Sequence, residues 1–234
     1  MLVVGGSSGI GWGIAQAFAH EGARVCVTGL SAGEATSAAQ RAEGRSIVAS
    51  ALDVTDGVAV QKLLTGIERL DAVVNCAGVI RRREEYDLAV FEQVVAVNLT
   101  GTMRICQAAR GLLANTGGSI VNIASMYSYF GAAHAPAYSA SKGAIVQLTK
   151  SLAREYANEG IRVNAVAPGW IRTAITEAMF SDPTRSAPIV SRTPLGRWGE
   201  PGDIAGPVLF LCSEAAAFVT GAVLPIDGGY LLTG

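Results

Sequence analysis

The chain has 234 residues and a formal net charge of −1, which is enough chain for one sizeable domain with a buried core. The near-neutral charge disfavours proteins that bind nucleic acid through its phosphates, and no apolar run approaches the ~18 residues that a membrane span needs. Hydrophobic residues make up 50% and charged residues only 16%, so we expect some surface to be buried between subunits.

Short apolar segments alternate along the chain with longer segments of helical character. The apolar segments lack an in–out alternation, as expected for strands that are covered on both faces. The alternation predicts an α/β fold, a doubly wound parallel sheet of about seven strands with helices on both faces. The predicted strands span 2–4, 24–28, 46–52, 71–75, 119–124, 162–167 and 222–226, and the predicted helices span 9–21, 32–43, 87–113, 138–158 and 201–213.

The first predicted strand runs directly into the sequence GGSSGIG at 5–11. Gly5, Gly9 and Gly11 allow a tight turn, a close approach of the backbone to a ligand, and close packing of a helix on the sheet. The amides at such a helix start suit a pyrophosphate. The alternative is a tight turn without a ligand, and a Walker A loop is excluded because no Gly-Lys-Ser/Thr follows.

No change in composition divides the chain, so we predict a single domain over residues 1–234. One segment, from about 173 to 200, contains Pro183, Pro188 and Pro194 and has no clean periodicity. Because a long irregular insertion in a compact fold commonly covers a ligand, we predict a substrate lid there.

The cysteines predict a location and exclude one kind of site. The four cysteines lie far apart without CxxC spacing, and only His20 and His134 are available to join them. We therefore predict reduced thiols in a cytoplasmic protein and no metal site. The chain begins with the strand-like MLVVGG, so we expect no signal peptide.

A series of motifs in register resembles the short-chain dehydrogenase/reductase family along essentially the whole chain. Such a resemblance implies a Rossmann-like fold. Two departures are visible: Val4 stands where threonine is usual, which we expect to weaken the turn, and Cys76 replaces an asparagine. The motifs are GGSSGIG (5–11), LDVTD (52–56), NCAG (75–78), VNLTG (97–101), IASM (123–126), YSASK (138–142), PGWIRT (168–173) and IDGGY (226–230).

The resemblance implies that Asn98, Ser125, Tyr138 and Lys142 are catalytic. The implied reaction is reversible hydride transfer between nicotinamide and a carbinol or carbonyl carbon, with Tyr138 exchanging the hydroxyl proton. Ser125 would bond the substrate oxygen, Lys142 the nicotinamide ribose, and Asn98 a water that relays protons to the lysine. The residues expected to contact the cofactor are Gly5, Ser7, Ser8, Gly9, Ile10, Gly11, Leu30, Ser31, Asp53, Val54, Asn75, Ala77, Gly78, Tyr138, Lys142, Pro168, Gly169, Ile171 and Thr173.

The spacing of Tyr138 and Lys142 has a physical reading of its own. Residues at i and i+4 share a helix face, so both side chains can point into one cleft. A phenol has an ordinary pKa of about 10, which a nearby ammonium lowers. We therefore expect Lys142 and the helix start after Pro136 to lower the pKa of Tyr138.

The residues after the second predicted strand bear on the choice between NAD and NADP. An acidic residue there binds the ribose diol of NAD, and a nearby arginine accommodates the phosphate of NADP. Gly29 and Leu30 occupy these positions, so neither determinant is present. Ser31 is able to donate to a phosphate, although the Ser-x-x-Glu spacing at 31–34 predicts a capping box. The lack of a cation favours NAD and leaves NADP open.

Two segments resemble the branch of the family that acts on sugar acids: AGVIRR (77–82) and PLGRWGEP (194–201). Arg81, or its neighbours Arg82 and Arg83, would offer a carboxylate paired donors. The alternative is a self-paired surface stretch, since Glu84 and Glu85 follow at once. We expect Arg81, Tyr127, His134 and Trp170 to contact substrate, with Met179 closing over it from the lid.

Three further expectations concern function and assembly. A reductase of 3-oxoacyl thioesters shares every catalytic motif and is the nearest alternative. A non-catalytic protein that senses the dinucleotide is the second alternative, and the intact set of four catalytic residues disfavours it. We expect a homotetramer built on the segments 87–113 and 138–158 and on the last strand, with no nucleic-acid or membrane partner.

Overall fold

A computed structural model describes residues 1–233 of the chain, and its centre is a parallel seven-stranded sheet. Every predicted strand is present, with each end within one residue of the prediction. The strands are β1 (Leu2–Val4), β2 (Val25–Gly29), β3 (Ile47–Ala51), β4 (Ala72–Asn75), β5 (Ser119–Ile123), β6 (Arg162–Pro168) and β7 (Val223–Ile226), in the spatial order β3-β2-β1-β4-β5-β6-β7.

The helices cover both faces of this sheet, as predicted. They are α1 (Gly9–His20), α2 (Ala32–Arg41), α3 (Gly57–Thr65), α4 (Leu88–Val95), α5 (Thr102–Ala114), α6 (Pro136–Tyr156), α7 (Glu177–Phe180), α8 (Pro183–Arg192) and α9 (Pro201–Cys212). None of the helices described within residues 1–233 is long and apolar enough to cross a membrane.

Alternate residues of the central strands enter two separate hydrophobic cores. Leu2 and Val4 of β1 pack with side chains of α3, α5 and α6, whereas Val3 packs on the opposite face with α1 and α9. Since strand side chains alternate between faces, a strand buried on both sides must be apolar throughout. This explains the continuous apolar runs in the sequence.

The strand order places a ligand crevice at one edge of the sheet. β1 pairs with β2 on one side and with β4 on the other, so the winding reverses between β1 and β4. In open α/β sheets ligands bind at the carboxyl ends of the strands beside this reversal. The glycine-rich turn after β1 lies at that place.

The predicted continuous helix over 87–113 is wrong, because a π-helical turn at Ala96–Gly101 separates α4 from α5. Gly101 lies against Val54, and a Cβ atom on Gly101 would come within 2.5 Å of Val54 Cγ2. Wide π turns commonly occur at functional sites because they redirect side chains. This turn carries Asn98 into the interior.

The predicted irregular character of 173–200 is also wrong in part, since α7 and α8 lie within this segment. Pro183 occupies the first position of α8, where a proline fits well, and Asp182 caps the helix by accepting from the Thr184 amide at 2.9 Å. The sequence analysis also missed α3, whose cap is the Asp56 carboxylate.

Candidate active site

Tyr138 and Lys142 lie one turn apart near the start of α6 and face the same cleft. Lys142 is almost fully buried and Tyr138 is half-buried. Lys142 Nζ lies 5.6 Å from the centroid of the Tyr138 ring and donates a hydrogen bond of 2.6 Å to the Ile123 carbonyl at the end of β5. The i, i+4 spacing therefore brings a phenol and an ammonium to one side of the helix, as predicted.

Ser125 follows β5 and is held in place by a short turn. Its hydroxyl accepts from the Tyr127 amide at 3.2 Å, and its own amide donates to Ser128 Oγ at 3.2 Å. Ser128 Oγ in turn donates to the Lys142 carbonyl at 2.7 Å. These bonds tie the serine to the helix that carries Tyr138 and Lys142.

The ionisation of Tyr138 differs from the expectation. Burial raises the pKa of Tyr138 to about 12, while a hydrogen bond with Ser125 acts in the opposite direction. The expected lowering by Lys142 is wrong in this geometry, because the ammonium is directed to the Ile123 carbonyl instead of the phenol. Tyr138 therefore keeps its proton at neutral pH.

Burial also lowers the pKa of Lys142 to about 8, with Cys76 opposing that shift. The ammonium has three N–H donors, and one of them bonds Ile123. Gly78 leaves space beside the ammonium, since a Cβ atom on Gly78 would lie 3.7 Å from Nζ.

Asn98 is completely buried and its amide is held on both sides. Its Oδ1 accepts from the Val79 amide at 2.8 Å, and its Nδ2 donates to the Val79 carbonyl at 3.0 Å and to Ser141 Oγ at 3.1 Å. A Cβ atom on Gly78 would lie 3.3 Å from Asn98 Oδ1, so this oxygen borders the same floor as Lys142 Nζ.

The glycine-rich turn approaches the loops after β4 and β6. Gly5 has φ +74°, and a Cβ atom there would lie 2.5 Å from the Ala77 amide nitrogen. Gly9 has φ +53° and faces Thr173, whose Cγ2 would lie 3.3 Å from a Cβ atom. Only glycine fits both positions, and the turn closes one end of the crevice.

The other residues predicted at the cofactor line the same edge of the sheet. Asp53 Oδ1 accepts from the amide and the hydroxyl of Thr55, at 2.8 and 2.7 Å. The predicted cofactor residues at this edge are Ser8, Ile10 and Gly11 at the start of α1, Asp53 and Val54 after β3, Asn75, Ala77 and Gly78 at or after the end of β4, and Pro168, Gly169 and Ile171 at or after the end of β6.

The end of β2 holds an acidic group that the sequence analysis did not find. Glu34 Oε2 accepts from the Leu30 amide and from Ser7 Oγ, both at 3.1 Å. It would lie 2.9 Å from a Cβ atom on Gly29. Half of the predicted capping box forms, since Ser31 Oγ accepts from the Glu34 amide at 3.2 Å. The Glu34 side chain thus fills the place where Gly29 leaves space.

One arginine lies close to this carboxylate but is engaged elsewhere. Arg41 at the end of α2 donates to the Ser7 carbonyl. Its Cζ lies 4.5 Å from the centroid of the Trp12 ring. The guanidinium is therefore held against the backbone and an aromatic face.

On the substrate side, the structure separates the three consecutive arginines. Arg81 and Arg83 are exposed, whereas Arg82 is half-buried and its Nε is buried without a hydrogen-bond partner among residues 1–233. Burial lowers the pKa of His134, and the positive charges of Arg82 and Arg83 lower it further. Arg81, which we expected to contact substrate, is thus exposed, and Arg82 is the one of the three arginines with a buried donor.

An aromatic wall connects Tyr138 with the segment 173–200. The Tyr127 ring makes edge-on contacts with Tyr138, His134 and Trp170, at centroid distances of 6.1, 6.0 and 6.4 Å. The Trp170 ring also contacts the Trp198 ring, at a centroid distance of 5.6 Å. Trp170 Nε1 is a second buried donor without a partner among residues 1–233. Met179 packs with Trp198 in a small core within the segment 173–200.

Comparisons with known proteins agree with this geometry. A family model described as enoyl-(acyl carrier protein) reductase, of the short-chain alcohol dehydrogenase type, matches residues 4–231. The 2-dehydro-3-deoxy-D-gluconate 5-dehydrogenase of Bacillus subtilis (strain 168) is 40% identical over 237 residues, covering 98% of this chain and 93% of that protein. The L-tagatose-forming galactitol 2-dehydrogenase of Cereibacter sphaeroides is 41% identical over 236 residues, covering 97% and 93%.

A solved structure of gluconate 5-dehydrogenase from Burkholderia cenocepacia J2315, in complex with NADP and tartrate, superposes with a TM-score of 0.93 at 31% identity. The alignment covers 100% of this chain and 95% of that one. The chain belongs to the short-chain dehydrogenase/reductase family. It is accordingly an NAD(P)-dependent oxidoreductase enzyme.

The donors of this dehydrogenase fit a nicotinamide dinucleotide. Lys142 Nζ has one acceptor and retains donors for ribose hydroxyls, beside a floor that a Cβ atom on Gly78 would narrow.

The weakening of the turn that we expected from Val4 is offset locally, because Thr28 Oγ1 on β2 accepts from the Gly5 amide at 3.1 Å. The neighbouring strand therefore supplies a hydroxyl that holds the turn.

Sequence reasoning missed two acidic residues of this dehydrogenase, Glu34 and Glu85. Glu34 was within reach, since the Ser-x-x-Glu spacing predicts that its side chain turns back toward the helix start. Glu85 carried no usable signal, because its place in the run RRREE (81–85) resembles a solvated surface. The structure buries it to 1% exposure.

Proposed function

We propose that this enzyme interconverts a secondary alcohol and a ketone on a sugar acid of the gluconate or deoxygluconate type. The observation that carries the proposal is a pair of buried donors without partners among residues 1–233, Arg82 Nε and Trp170 Nε1, and the Trp170 ring contacts Tyr127 beside Tyr138. A buried polar group without a partner costs free energy, so such groups commonly serve a ligand. A polyhydroxy carboxylate supplies the acceptors that both donors need.

The four predicted catalytic residues have distinct tasks in the proposed reaction. A nicotinamide held by these residues would supply the hydride chemistry. Tyr138, protonated at neutral pH, donates its phenolic proton to the oxygen of a ketone during reduction and receives it back during oxidation. Ser125 bonds the same substrate oxygen, because the turn after β5 holds its hydroxyl beside the helix that carries the phenol.

Lys142 and Asn98 support this proton transfer from the floor of the cleft beside Gly78. Lys142 holds ribose hydroxyls with the N–H groups that do not bond Ile123. Asn98 keeps its oxygen at the floor between Val79 and Lys142, where it can orient a proton relay. Oxidation needs the phenolate, so its rate should rise with pH more steeply than the rate of reduction.

Recognition of a carboxylate is assigned to Arg82. A guanidinium is the preferred partner of a carboxylate because it offers parallel donors in a fixed plane. The aromatic wall of Tyr127 and Trp170 excludes water from one side of the cleft. A charge-assisted bond formed there is stronger than one at the surface.

The enzyme prefers NAD over NADP in our proposal. The Glu34 carboxylate at the end of β2 occupies the Leu30 amide and the Ser7 hydroxyl, the donors that a ribose phosphate would otherwise use. A dianionic phosphate placed there would meet a negative charge, while a ribose diol can donate to it. The structure of the gluconate 5-dehydrogenase from Burkholderia cenocepacia J2315 contains NADP, so our proposal of NAD rests on the Glu34 contacts of this chain alone.

The assembly that we propose is a homotetramer. Leu224 on the edge strand β7 and the fully exposed Phe218 present apolar surface at one end of the sheet, and Leu88 and Met103 do so near α4 and α5. An exposed edge strand with apolar side chains is commonly covered by another chain. Light scattering after size exclusion should give a four-chain mass that falls for Phe218→Ser.

A substrate panel followed at 340 nm tests the proposed activity. The enzyme should oxidise gluconate with NAD and reduce 5-ketogluconate with NADH more efficiently than it reduces a 3-oxoacyl thioester. Preferential turnover of the thioester would favour the acyl reductase alternative. Dinucleotide binding without turnover of any alcohol or ketone would favour the non-catalytic alternative.

A further inference from the structure

Glu85 is a buried carboxylate that bridges two parts of the cleft. Its Oε1 accepts from the Arg81 amide at 2.8 Å, and its Oε2 accepts from the Tyr138 amide at 2.9 Å. It is only 1% exposed, and no lysine or arginine of the described chain forms an ion pair with it within 4 Å. Two backbone amides therefore compensate for the burial of its charge.

At α6, Glu85 replaces the local cap. The capping position is Ala135, whose side chain cannot accept a hydrogen bond. Tyr138 is the third residue of α6, so its amide is one of those that have no partner within the helix. A carboxylate at a helix start is also favoured by the helix dipole.

At the other end, Glu85 fixes the segment that carries Arg82. The Arg81 amide is bound by the Glu85 carboxylate, and the Arg83 amide donates to the His134 carbonyl at 2.7 Å. Arg83 has φ +67°, an uncommon conformation for a residue with a side chain. Two bonds thus flank Arg82. Burial raises the pKa values of Tyr127 and Tyr138, and the positive charge of the nearby Arg82 opposes both shifts.

We propose that Glu85 is a positioning residue that sets the separation between the Arg82 guanidinium and the Tyr138 phenol. This inference rests on the proposed function, because the separation matters only when a carboxylate and a reacting carbinol lie on one molecule. A fixed separation matches substrates whose carboxylate is a set number of bonds from the reacting carbon. A displacement of about 1 Å in such a pair can cost on the order of a hundredfold in rate.

The test compares an acidic substrate, gluconate, with a neutral one, galactitol, in wild type, Glu85→Gln and the exposed-site control Glu84→Gln. The carboxamide introduced by E85Q would offer one acceptor oxygen and would oppose the second backbone N–H with its own donors. We expect E85Q to lower the gluconate-to-galactitol ratio of kcat/KM about tenfold, mainly through kcat. E84Q should leave the ratio unchanged.

A double variant separates positioning from a general loss of structure. If Glu85 acts through Arg82, E85Q should not change the ratio further in an Arg82→Ala background. An equal loss for both substrates, accompanied by a lower Tm, would overturn the inference. Should E85Q fail to fold, Glu85→Asp keeps the charge on a shorter side chain and is measured in the same way.

Amide hydrogen exchange tests the two backbone hydrogen bonds of Glu85 without any measurement of turnover. In E85Q the Arg81 and Tyr138 amides should exchange at least about tenfold faster than in wild type, while amides of the central strands keep their protection. If wild type oxidises neither compound, the proposed function fails, and the two amides alone then decide the bridging role. Unchanged exchange at both amides would contradict it.

Discussion

The two ends of the cleft differ in how their polar groups are satisfied. At the β2 end, the Ser7 hydroxyl donates to the Glu34 carboxylate, and the Arg41 guanidinium donates to the Ser7 carbonyl. At the substrate end, Arg82 Nε and Trp170 Nε1 are buried without partners among residues 1–233. One end is occupied by the protein's own side chains, and the other retains unused donors. The difference indicates that the first end restricts which ligand enters, whereas the second is arranged to bind one.

The largest effect should follow from removing the phenol at the substrate end. Tyr138→Phe keeps the ring packing against Tyr127 but deletes the group that exchanges the proton. General acid–base catalysis contributes about 10²–10⁴-fold, so we expect kcat to fall about 10³-fold with little change in the Kd of the dinucleotide. Initial rates at 340 nm and a binding titration measure both quantities. Retention of more than a tenth of the wild-type kcat would contradict the assigned role.

The next largest effect should come from Arg82, with Arg81 as its matched control. Arg82→Ala removes the unpartnered guanidinium, and we expect kcat/KM for gluconate to fall about 10–100-fold, since a bond to a charged group is worth roughly 1.5–3 kcal/mol. Galactitol should be affected far less. Arg81→Ala changes an exposed side chain and should leave both substrates unaffected. An inverted pattern would restore Arg81 as the substrate residue.

A third prediction concerns the free energy of unfolding, because Lys142 is a buried base with a pKa of about 8. Below pH 8 the folded chain must hold a buried ammonium, which costs about 3 kcal/mol at pH 7 relative to an ordinary lysine. Lys142→Met removes this cost and loses one hydrogen bond, worth about 1 kcal/mol. We expect it to abolish turnover while raising the free energy of unfolding by about 2 kcal/mol at pH 7.

The sign of the pH dependence provides a control for that prediction. Between pH 8 and the ordinary lysine value of 10.5, the unfolded chain binds the proton that the folded chain has released, so wild type gains stability as the pH rises. The advantage of K142M should therefore shrink over this range. Lys150→Met, at an exposed position on the same helix, should show no such trend. A K142M variant less stable than wild type at pH 7 would contradict the cost assigned to burial.

The smallest effect should be found at the β2 end. Glu34→Gln removes the negative charge while keeping an acceptor for the Leu30 amide, so the ratio of the NADP Kd to the NAD Kd should fall about tenfold. Calorimetry with both dinucleotides measures the ratio without a substrate. Glu43→Gln, an exposed residue just beyond α2, serves as the control. If wild type already binds NADP as tightly as NAD, Glu34 has no selective role.

The strands were predictable to within one residue, because a sheet buried on both faces requires continuous apolar runs such as those of β1 and β5. The positions of Tyr138 and Lys142 on one helix face followed from their spacing alone. The π turn at Asn98 was not predictable, since it depends on the contact between Gly101 and Val54, distant residues in the chain. The sign of the Tyr138 pKa shift was missed because burial outweighs a nearby charge that bonds elsewhere.

The contacts of the arginine segment (81–83) were also not predictable from the local sequence. We predicted a substrate contact for Arg81, with a surface stretch as the alternative, and Arg81 and Arg83 are exposed. Arg82 is half-buried between two neighbours whose amides donate to Glu85 and to the His134 carbonyl. The Arg83–His134 and Glu85–Tyr138 bonds join segments about fifty residues apart, and no local pattern encodes them.

A crystal structure of Tyr138→Phe with NAD and gluconate would show whether Arg82 and Ser125 hold the two ends of the substrate. We predict that the gluconate carboxylate lies within about 3 Å of Arg82 Nε and that a carbinol hydroxyl lies at a similar distance from Ser125 Oγ. A gluconate bound with its carboxylate away from Arg82, or a cleft that binds no gluconate at saturating concentration, would contradict it.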